Sequence, residues 1–264
     1  MSTPTAPAST VTVAVENGIA RVTLARPDVA NTMNLQFGHD LLGAALKVES
    51  DPDVRAVILT GAGKNFCFGG DLRGMMGSGG DVEGYLRELT THLHAAIVHF
   101  TRMDAPVIAA VNGTAAGAGL GLVLMADLAI AAAGAKFAPA YTGVGLTPDG
   151  STSFLLPRAV GYKRAMEMFL TNRVLGADEA LAWGLVNQVV PDEELAAAAQ
   201  RLAERLAAGP VRAFGQVKRL LADAEPGLEA QLAREGRTIS RQGASAEGAE
   251  GIAAFLEKRK AAWK

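Results

Sequence analysis

The sequence contains little cysteine, little net charge and no long apolar run, and each shortage narrows what the protein can be. Its 264 residues include one cysteine, Cys67, so an intrachain disulfide is impossible and a reducing compartment is favoured. The formal net charge of −2 lacks the excess of one sign that is typical of nucleic-acid and membrane-surface proteins. The longest apolar stretch, residues 120–133, includes Asp127 and is too short to span a bilayer. These features predict a soluble cytoplasmic protein with no nucleic-acid or membrane partner.

The N-terminus also lacks the basic and apolar segments of a signal peptide. Residues 1–10 are rich in Ser, Thr, Pro and Ala, which predicts a flexible tail. Overall 49% of the sequence is apolar, and 30 residues are glycine. This composition suits one large domain, or a core with a small appended module, and many tight turns.

Apolar runs alternate with helical patterns along the first two thirds of the chain. Residues 11–15 and 19–24 flank Asn17-Gly18, which predicts a β-hairpin. Further buried strands are predicted at residues 54–60, 107–111 and 129–132, and helices at residues 33–49, 82–103 and 122–126. Residues 69–81 are rich in Gly and Met without a clear period and predict a mobile loop. Strands that alternate with helices and end in glycine turns predict an α/β fold.

The composition changes after about residue 177, where Ala, Glu, Leu, Arg and Lys dominate. Helical spacing recurs over residues 195–206, 211–221, 228–240 and 252–263, with Pro210 and Pro226-Gly227 between helices. We therefore predict a core over residues 11–190 and a helical module over residues 191–264. The module is expected to pack on the core or on a neighbouring subunit.

Three common catalytic patterns fail when their spacing is checked. Gly117-Ala118-Gly119 resembles the start of a dinucleotide fingerprint, but Leu122 occupies the position of its last glycine. Residues 61–64 resemble part of a phosphate-binding loop, but Asn65 replaces the required Ser or Thr. No serine has the glycine neighbours of the hydrolase nucleophile elbow.

Three histidines, His92, His94 and His99, fall within one predicted helix. Their spacings of two, five and seven residues do not give the pair of ligands found on a zinc-binding helix, so no metal is predicted. His92 and His99 are expected to be solvated. His94 lies beside the apolar face, which is equally typical of a histidine at a packing boundary.

Two glycine-rich turns each follow a buried strand, at residues 66–72 and 112–119. Small residues allow a ligand to approach the backbone, and a turn at the start of a helix leaves N–H groups without partners. Two such turns can direct their N–H groups at one oxygen and form an oxyanion hole. Close packing of helix on strand without catalysis explains the same spacing equally well.

Several segments resemble the crotonase family, also called the enoyl-CoA hydratase/isomerase family, in order and in spacing. They are Arg26-Pro27, residues 57–61, Phe66-x-x-Gly69-x-Asp71-Leu72, residues 106–113, Gly184-Leu185-Val186 and residues 255–259. The resemblance covers nearly the whole chain. It implies a core of repeated ββα units, a C-terminal helical trimerisation domain, and a homotrimer or a dimer of trimers. It also implies an acyl-CoA substrate, no metal or redox cofactor, and the N–H groups of Gly70 and Ala118 as oxyanion donors.

The sequence departs from the hydratases of that family where their two glutamates are expected. The matching positions hold Gly121 and Tyr141. Addition of water to an enoyl double bond needs a positioned acid and base. Glycine has no side chain, and tyrosine is a poor base at neutral pH. Classical hydratase activity is therefore not expected.

Asp149 is the acidic residue that could replace the two missing glutamates. It lies in a Pro-Asp-Gly turn, where most aspartates only stabilise the loop conformation. Residues 145–149 resemble the enoyl-CoA isomerases of the phenylacetate type. Residues 140–173 resemble the 4-chlorobenzoyl-CoA dehalogenases, in which an aspartate attacks the ring. In that branch a histidine at the position of His94 activates water, and an aromatic residue at the position of Tyr141 orients the aspartate.

The departures favour an isomerase over a dehalogenase. Leu93 replaces an aromatic residue, Tyr141 replaces tryptophan, and an aromatic content of 5% is small for an aryl pocket. We therefore predict double-bond isomerisation with Asp149 as acid and base. The alternatives are weak enoyl-CoA hydration, dehalogenase-like hydrolysis and non-catalytic binding of acyl-CoA.

The resemblance also implies the residues that contact the substrate. The adenine end of CoA is expected near Arg26 and Ala30, and the C-terminal residues Phe255 and Lys258 could reach CoA of their own or of an adjacent subunit. The expected binding residues in the two glycine turns are Phe68, Asp71, Leu72 and Gly117. The segment around Met75 and Met76 is expected to line or cover the acyl pocket, because methionine adapts to varied apolar shapes.

Overall fold

The computed structural model describes residues 9–263, and most of the predicted tail at residues 1–10 lies outside this range. The prediction is wrong for Thr10. Its backbone N–H and its hydroxyl each donate to a carboxylate oxygen of Asp40 at 2.8 Å, and its carbonyl accepts from Ala25. The start of the described chain is therefore fastened to the core.

Nine strands form two sheets within the described residues. They are β1 (Val11–Glu16), β2 (Ile19–Leu24), β3 (Ala56–Gly61), β4 (Val107–Val111), β5 (Ala115–Ala116), β6 (Leu128–Ala132), β7 (Lys136–Ala138), β8 (Leu175–Gly176) and β9 (Gln188–Val190). The larger sheet has the order β1-β2-β3-β4-β6-β9, and only the β1–β2 pair in it is antiparallel. The smaller sheet has the order β5-β7-β8. The predicted hairpin is confirmed, with Asn17 and Gly18 both at positive φ as a tight two-residue turn requires.

Eleven α-helices complete the described chain. They are α1 (Leu35–Ser50), α2 (Leu72–Met76), α3 (Val82–Arg102), α4 (Ala118–Met125), α5 (Thr152–Val160), α6 (Tyr162–Thr171), α7 (Ala177–Ala182), α8 (Leu195–Ala207), α9 (Val211–Ala222), α10 (Leu228–Gly243) and α11 (Ala246–Leu256). Short 3-10 helices occupy Pro27–Val29, Thr142–Val144 and Asp192–Glu194. The mixed α/β class predicted from the sequence is confirmed.

The core repeats a unit of two strands and a helix, as predicted. In β4-β5-α4 and β6-β7-α5, the first strand joins the larger sheet and the second joins the smaller sheet. A reduced version follows β3, where a single parallel bridge joins Cys67 to Ala115 before the chain reaches α3. Each unit therefore brings the turn after its second strand to the same edge of the molecule.

Alternate residues of the central strands face two different apolar layers. Val57 and Leu59 point toward the layer that includes α1 and α3, whereas Ile58 points toward α8. The alanines of α8, such as Ala199 and Ala203, allow that helix to lie close to the sheet. Thus α8 packs on the core although it follows residue 190, and the division at that residue stays a prediction.

Three elements depart most from the boundaries that the sequence predicts. The loop predicted at residues 69–81 contains α2, because the Asp71 side chain accepts a hydrogen bond from Gly74 N–H and caps its first turn. The helix predicted from residue 122 begins at Ala118, after Gly117 with φ of 54°. The last helix is α11 rather than residues 252–263, since the Ser245 hydroxyl caps it by accepting from Gly248 N–H.

The C-terminal helices leave apolar side chains uncovered. None of the residues of α10, all of which the structure describes, is buried. Large exposed apolar side chains on α10 and α11 are Leu228, Leu232, Ile239, Ile252, Phe255 and Leu256. Between residues 9 and 263, no helix has the length and apolar character needed to cross a membrane.

Candidate active site

The two glycine-rich turns identified in the sequence meet backbone to backbone. Gly69 has φ of +82°, and a Cβ added to it would lie 2.8 Å from the carbonyl oxygen of Ala116 and 3.2 Å from the nitrogen of Ala118. A side chain at this position would therefore separate the turns. Glycine is required both for the left-handed backbone and for the close approach.

The N–H groups of Gly70 and Ala118 have no acceptor among residues 9–263. The neighbours of Gly70 are engaged, because Met33 N–H donates to the Gly69 carbonyl and Asp71 N–H donates to the Met33 carbonyl. This parallel bridge turns Gly70 N–H away from its partner strand. Ala118 opens α4, where the first N–H groups of a helix have no intrahelical partner. Both residues line the same cavity, as an oxyanion hole requires.

That cavity has a volume of about 420 Å³ and a mostly apolar lining. Its walls come from α2, α3 and the segment between β7 and α5. The lining residues are Met33, Gly70, Leu72, Met75, Leu86, Leu89, Thr90, Leu93, Gly117, Ala118, Ala140, Tyr141, Val144, Leu146, Thr147, Pro148 and Asp149. Met75 lies in the wall as predicted, whereas Met76 is exposed. Asp149 carries the one carboxyl group among these residues, so the cavity suits an uncharged acyl group.

Asp149 and His94 lie together at the rim of the cavity. Nε2 of His94 is 2.8 Å from Oδ1 of Asp149, although the residues are 55 positions apart in the chain. The His94 side chain is 50% exposed and that of Asp149 is 35% exposed. Leu93, not His94, lines the cavity. The imidazole therefore contacts the carboxylate from the solvent side.

Tyr141 contacts Asp149 through the main chain. Its buried hydroxyl donates to the backbone carbonyl of Asp149 at 2.8 Å. Burial raises the pKa of Tyr141 above its ordinary value. The phenol therefore stays protonated at neutral pH and serves as a hydrogen-bond donor, not as a base.

Gly121 leaves no room for the glutamate that a hydratase would carry there. A Cβ added to Gly121 would overlap the carbonyl oxygen of Gly150. Gly150 itself has φ of +58°, and Ala118 directs its methyl group toward it. The turn that follows Asp149 thus rests directly on the first turns of α4.

Thr152 is a site residue whose contribution the sequence did not predict. It is fully buried at the start of α5, and its hydroxyl donates to the carbonyl of Asp149 at 2.8 Å. Threonine near a helix start often bonds to nearby backbone, which is the available signal. The preceding residue, Ser151, has a left-handed backbone with φ of +72°, and no simple sequence pattern predicts this conformation.

Four predicted substrate-binding residues lie around the cavity, and two of them line it, Leu72 and Gly117. The other two pair with each other, since the guanidinium of Arg26 contacts the Asp71 carboxylate at 3.1 Å. Arg26 also donates to the carbonyl of Thr32. This pair supports the first glycine turn, and its contact with CoA stays a prediction.

The remaining predicted binding residues lie outside the cavity lining. Phe68 N–H donates to the carbonyl of Ala30 at 3.1 Å, and the Phe68 ring is exposed. Phe255 is exposed on α11, and Lys258 is exposed just beyond it. Contact of these residues with the nucleotide end of CoA stays a prediction.

Cys67 and the other helical histidines do not add reactive groups to the cavity. Burial raises the pKa of the Cys67 thiol to about 12, so it is protonated at neutral pH. His92 and His99 were predicted to be solvated and are half-buried instead, because His99 pairs with Glu49 on α1 and His92 packs against His39. Among residues 9–263, no three His, Cys, Asp or Glu side chains are grouped to hold a metal ion.

Known proteins resemble this chain over nearly its full length. A family model described as enoyl-CoA hydratase/isomerase matches residues 14–264. A probable enoyl-CoA hydratase of Rhodobacter capsulatus is 42% identical over 251 residues, covering 95% of this chain and 96% of that protein. A 4-chlorobenzoyl coenzyme A dehalogenase of an Arthrobacter species is 38% identical, over 92% of this chain and 88% of its own. A 1,2-epoxyphenylacetyl-CoA isomerase of Escherichia coli is 39% identical, over 93% and 94%.

Solved structures share the arrangement of strands and helices. A crystal structure of an enoyl-CoA hydratase from Polaromonas matches with a TM-score of 0.91 at 32% sequence identity. The match covers 96% of this chain and 99% of that one. The two-sheet core and the C-terminal helices are therefore common to both molecules.

Proposed function

Because the chain belongs to the enoyl-CoA hydratase/isomerase family and is therefore an acyl-CoA enzyme, we propose that it moves a double bond within an acyl-CoA thioester, with Asp149 as acid and base. One observation carries this proposal. Asp149 lines the same cavity as Gly70 and Ala118, whose N–H groups have no acceptor among residues 9–263. A base and an oxyanion hole in one apolar cavity are what proton transfer beside a thioester needs.

The proposed reaction is a transfer of one proton along the acyl chain. Asp149 removes a proton from C2 of a 3-enoyl thioester, and the electron pair of that bond delocalises into a dienolate. The N–H groups of Gly70 and Ala118 stabilise the developing negative charge on the thioester oxygen, and each such donor typically contributes about 2.7–4 kcal/mol. The protonated Asp149 then returns the proton to C4, which gives the 2-enoyl thioester. No atom is gained or lost.

His94 and Tyr141 complete the base without touching the substrate carbons. His94 Nε2 fixes one carboxylate oxygen of Asp149 at 2.8 Å and leaves the other oxygen for the substrate. Since His94 is half exposed, it also connects the carboxylate with solvent. Tyr141 fixes the backbone that carries the carboxylate.

The proposal extends to the ligand and to the assembly. The apolar cavity wall favours an uncharged acyl group, with the nucleotide end of CoA outside it near Arg26 and Ala30. The protein acts without a metal or redox cofactor. It assembles as a homotrimer or a dimer of trimers through the exposed apolar residues of its C-terminal helices.

An Asp149→Asn variant tests the assignment of the base. Asparagine keeps the shape of the side chain but cannot accept the proton. We expect kcat on a panel of 3-enoyl-CoA esters to fall by about a hundredfold or more, with little change in KM. Asp53→Asn is the matched control, because Asp53 is exposed and lies outside the cavity. Equal turnover by Asp149→Asn and wild type would remove the proposal.

A second reaction, dehalogenase-like hydrolysis of an aryl-CoA, is favoured by the contact between His94 and Asp149. In it, Asp149 attacks the ring carbon that bears the halogen, and water activated by His94 cleaves the resulting ester. Chloride release from 4-chlorobenzoyl-CoA, absent in Asp149→Asn, would select this reaction over isomerisation. Hydration of crotonyl-CoA above the rate in buffer would select the hydratase alternative. Tight binding of every thioester without turnover would select a non-catalytic acyl-CoA binder.

A further inference from the structure

We propose that Thr152 is a positioning residue, which together with Tyr141 clamps the backbone carbonyl of Asp149 and thereby sets the place of the carboxylate. The inference rests on the proposed function, since it concerns how the proposed base is held. Thr152 does not line the cavity and contacts neither the carboxylate nor His94. It acts through the main chain of Asp149.

Three hydrogen bonds converge on this one carbonyl oxygen. The Tyr141 hydroxyl and the Thr152 hydroxyl each donate to it at 2.8 Å, and the Thr152 N–H donates at 3.2 Å. Two of the three donors are side chains held in place by burial. The donors come from opposite sides of the loop, Tyr141 before Asp149 and Thr152 after it. The peptide group that follows Asp149 is therefore fixed in orientation.

These hydrogen bonds are needed because the backbone conformation directly after Asp149 is energetically unfavourable. Gly150 and Ser151 are consecutive residues at positive φ, +58° and +72°. Serine pays a steric cost in this region, and such conformations persist only where the surrounding structure enforces them. Pro148 on the other side donates no backbone hydrogen bond. The clamp thus holds a turn that would otherwise relax and move Asp149.

The methyl group of Thr152 connects the turn after Asp149 with the helix that carries the second oxyanion donor. Its Cγ2 lies 3.4 Å from the position that a Cβ of Gly121 would occupy, so its methyl group packs on α4. Ala118, the second oxyanion donor, belongs to the same helix. One buried side chain therefore spaces the base relative to the donor, and errors of about 1 Å in such spacing cost on the order of a hundredfold in rate.

Two substitutions separate the hydroxyl of Thr152 from its bulk. Thr152→Val keeps the shape and removes the donor, whereas Thr152→Ser keeps the donor and removes the methyl group. We expect kcat of Thr152→Val on 3-enoyl-CoA esters to fall about ten- to a hundredfold, with KM changed less than about threefold because the acyl cavity is intact. Thr152→Ser is expected to keep most of the wild-type kcat.

The ring nitrogen shifts of His94, read by ¹H–¹⁵N NMR in the same variants, report the contact with Asp149 independently of turnover. They should change in Thr152→Val and stay near wild type in Thr152→Ser. Wild-type kcat and shifts in Thr152→Val, with Asp149→Asn inactive, would overturn the clamp and leave the proposed function standing. Equal losses in the Val and Ser variants together with lower melting temperatures would also overturn it, because packing alone would explain them. Wild-type turnover by Asp149→Asn would overturn the proposed function and this inference with it.

Discussion

Gly121 influences the proposed chemistry through the side chain that it lacks. The carbonyl of Gly150 occupies the space next to its Cα, and Thr152 packs beside it. The loop that carries Asp149 and a side chain at position 121 therefore compete for one volume. A glutamate at position 121 and an aspartate placed as Asp149 are alternatives in this structure, not additions to each other.

A Gly121→Glu variant should consequently not become a hydratase. We expect no hydration of crotonyl-CoA above the rate in buffer, and a loss of isomerase kcat of about a hundredfold, because the Asp149 turn must move. Gly43→Glu is the matched control, since a Cβ at Gly43 on α1 meets open space. Hydration of crotonyl-CoA by the Gly121→Glu variant at a rate proportional to enzyme concentration would contradict this prediction.

At the scale of single elements, one carboxylate fastens the first strand to the first helix. Asp40 on α1 accepts from the N–H and the hydroxyl of Thr10, immediately before β1. Burial alone would raise the pKa of Asp40, but hydrogen bonds from Thr10, Gln36 and Ser9 hold it below the ordinary value of 3.8. The ionised form is therefore the one that the fold stabilises.

Asp40→Ala should lower the free energy of unfolding by about 1.5–3 kcal/mol at neutral pH, the usual range for hydrogen bonds to a charged group. A folded-state pKa below 3.8 means that this stabilisation is present above that pH and is lost as the pH falls below it. Urea unfolding of both proteins at neutral pH and at about pH 3 measures the difference. The free energy of unfolding of Asp40→Asn, which keeps a hydrogen-bond acceptor without the charge, should lie between those of the wild type and Asp40→Ala. A difference that grows on acidification would contradict the assignment.

The long helix α3 could be predicted from the sequence, and the short helix α2 could not. The apolar period of α3 extends over 21 residues, so tertiary contacts do not have to decide its existence. By contrast α2 has five residues and contains Gly74, and it forms because Asp71 caps it while pairing with Arg26, 45 positions away. The start of α11 likewise depends on local capping by Ser245. Contacts of this kind leave no periodic signal.

At the scale of the whole molecule, α10 presents an apolar stripe with nothing on it. Leu228, Leu232 and Ile239 recur at spacings of four and seven residues and are each more than half exposed. Such spacing places them on one face of the helix. Exposed apolar patches are typical of interaction surfaces, and in the proposed assembly another subunit covers this stripe.

A double variant, Leu232→Lys with Ile239→Lys, should therefore dissociate the assembly. We expect light scattering coupled to size exclusion to give a trimer or hexamer for the wild type and a monomer for the variant. Leu46→Lys on α1, an exposed apolar position on another face, is the control and should keep the wild-type mass. A monomeric wild type at micromolar concentration would contradict the proposed assembly.

The sequence located the two glycine turns, and the family resemblance named Gly70 and Ala118 in them as donors, whereas contacts between distant segments were harder to predict. The motif around Gly70 and the turn at Ala118 carry their geometry within a few residues. The contact of His94 with Asp149 joins α3 to a loop 55 positions later, and the helical period gave only the rim position of His94. The hydroxyls of Tyr141 and Thr152 both donate to the backbone carbonyl of Asp149. This arrangement depends on the left-handed turn at Gly150 and Ser151, which sequence spacing does not encode.

The proposed use of main-chain N–H groups at Gly70 and Ala118 has a genetic consequence. Almost any missense change in those two codons leaves the donor atom in place, since only proline lacks the N–H. Codon 149 is different, because a single nucleotide substitution turns the carboxylate into an amide or a small neutral group. A single mutation can therefore remove or change the proposed proton-transfer residue while the backbone groups that bind the thioester oxygen remain. A lineage built on this scaffold can diversify its reactions faster than it can lose its class of substrate.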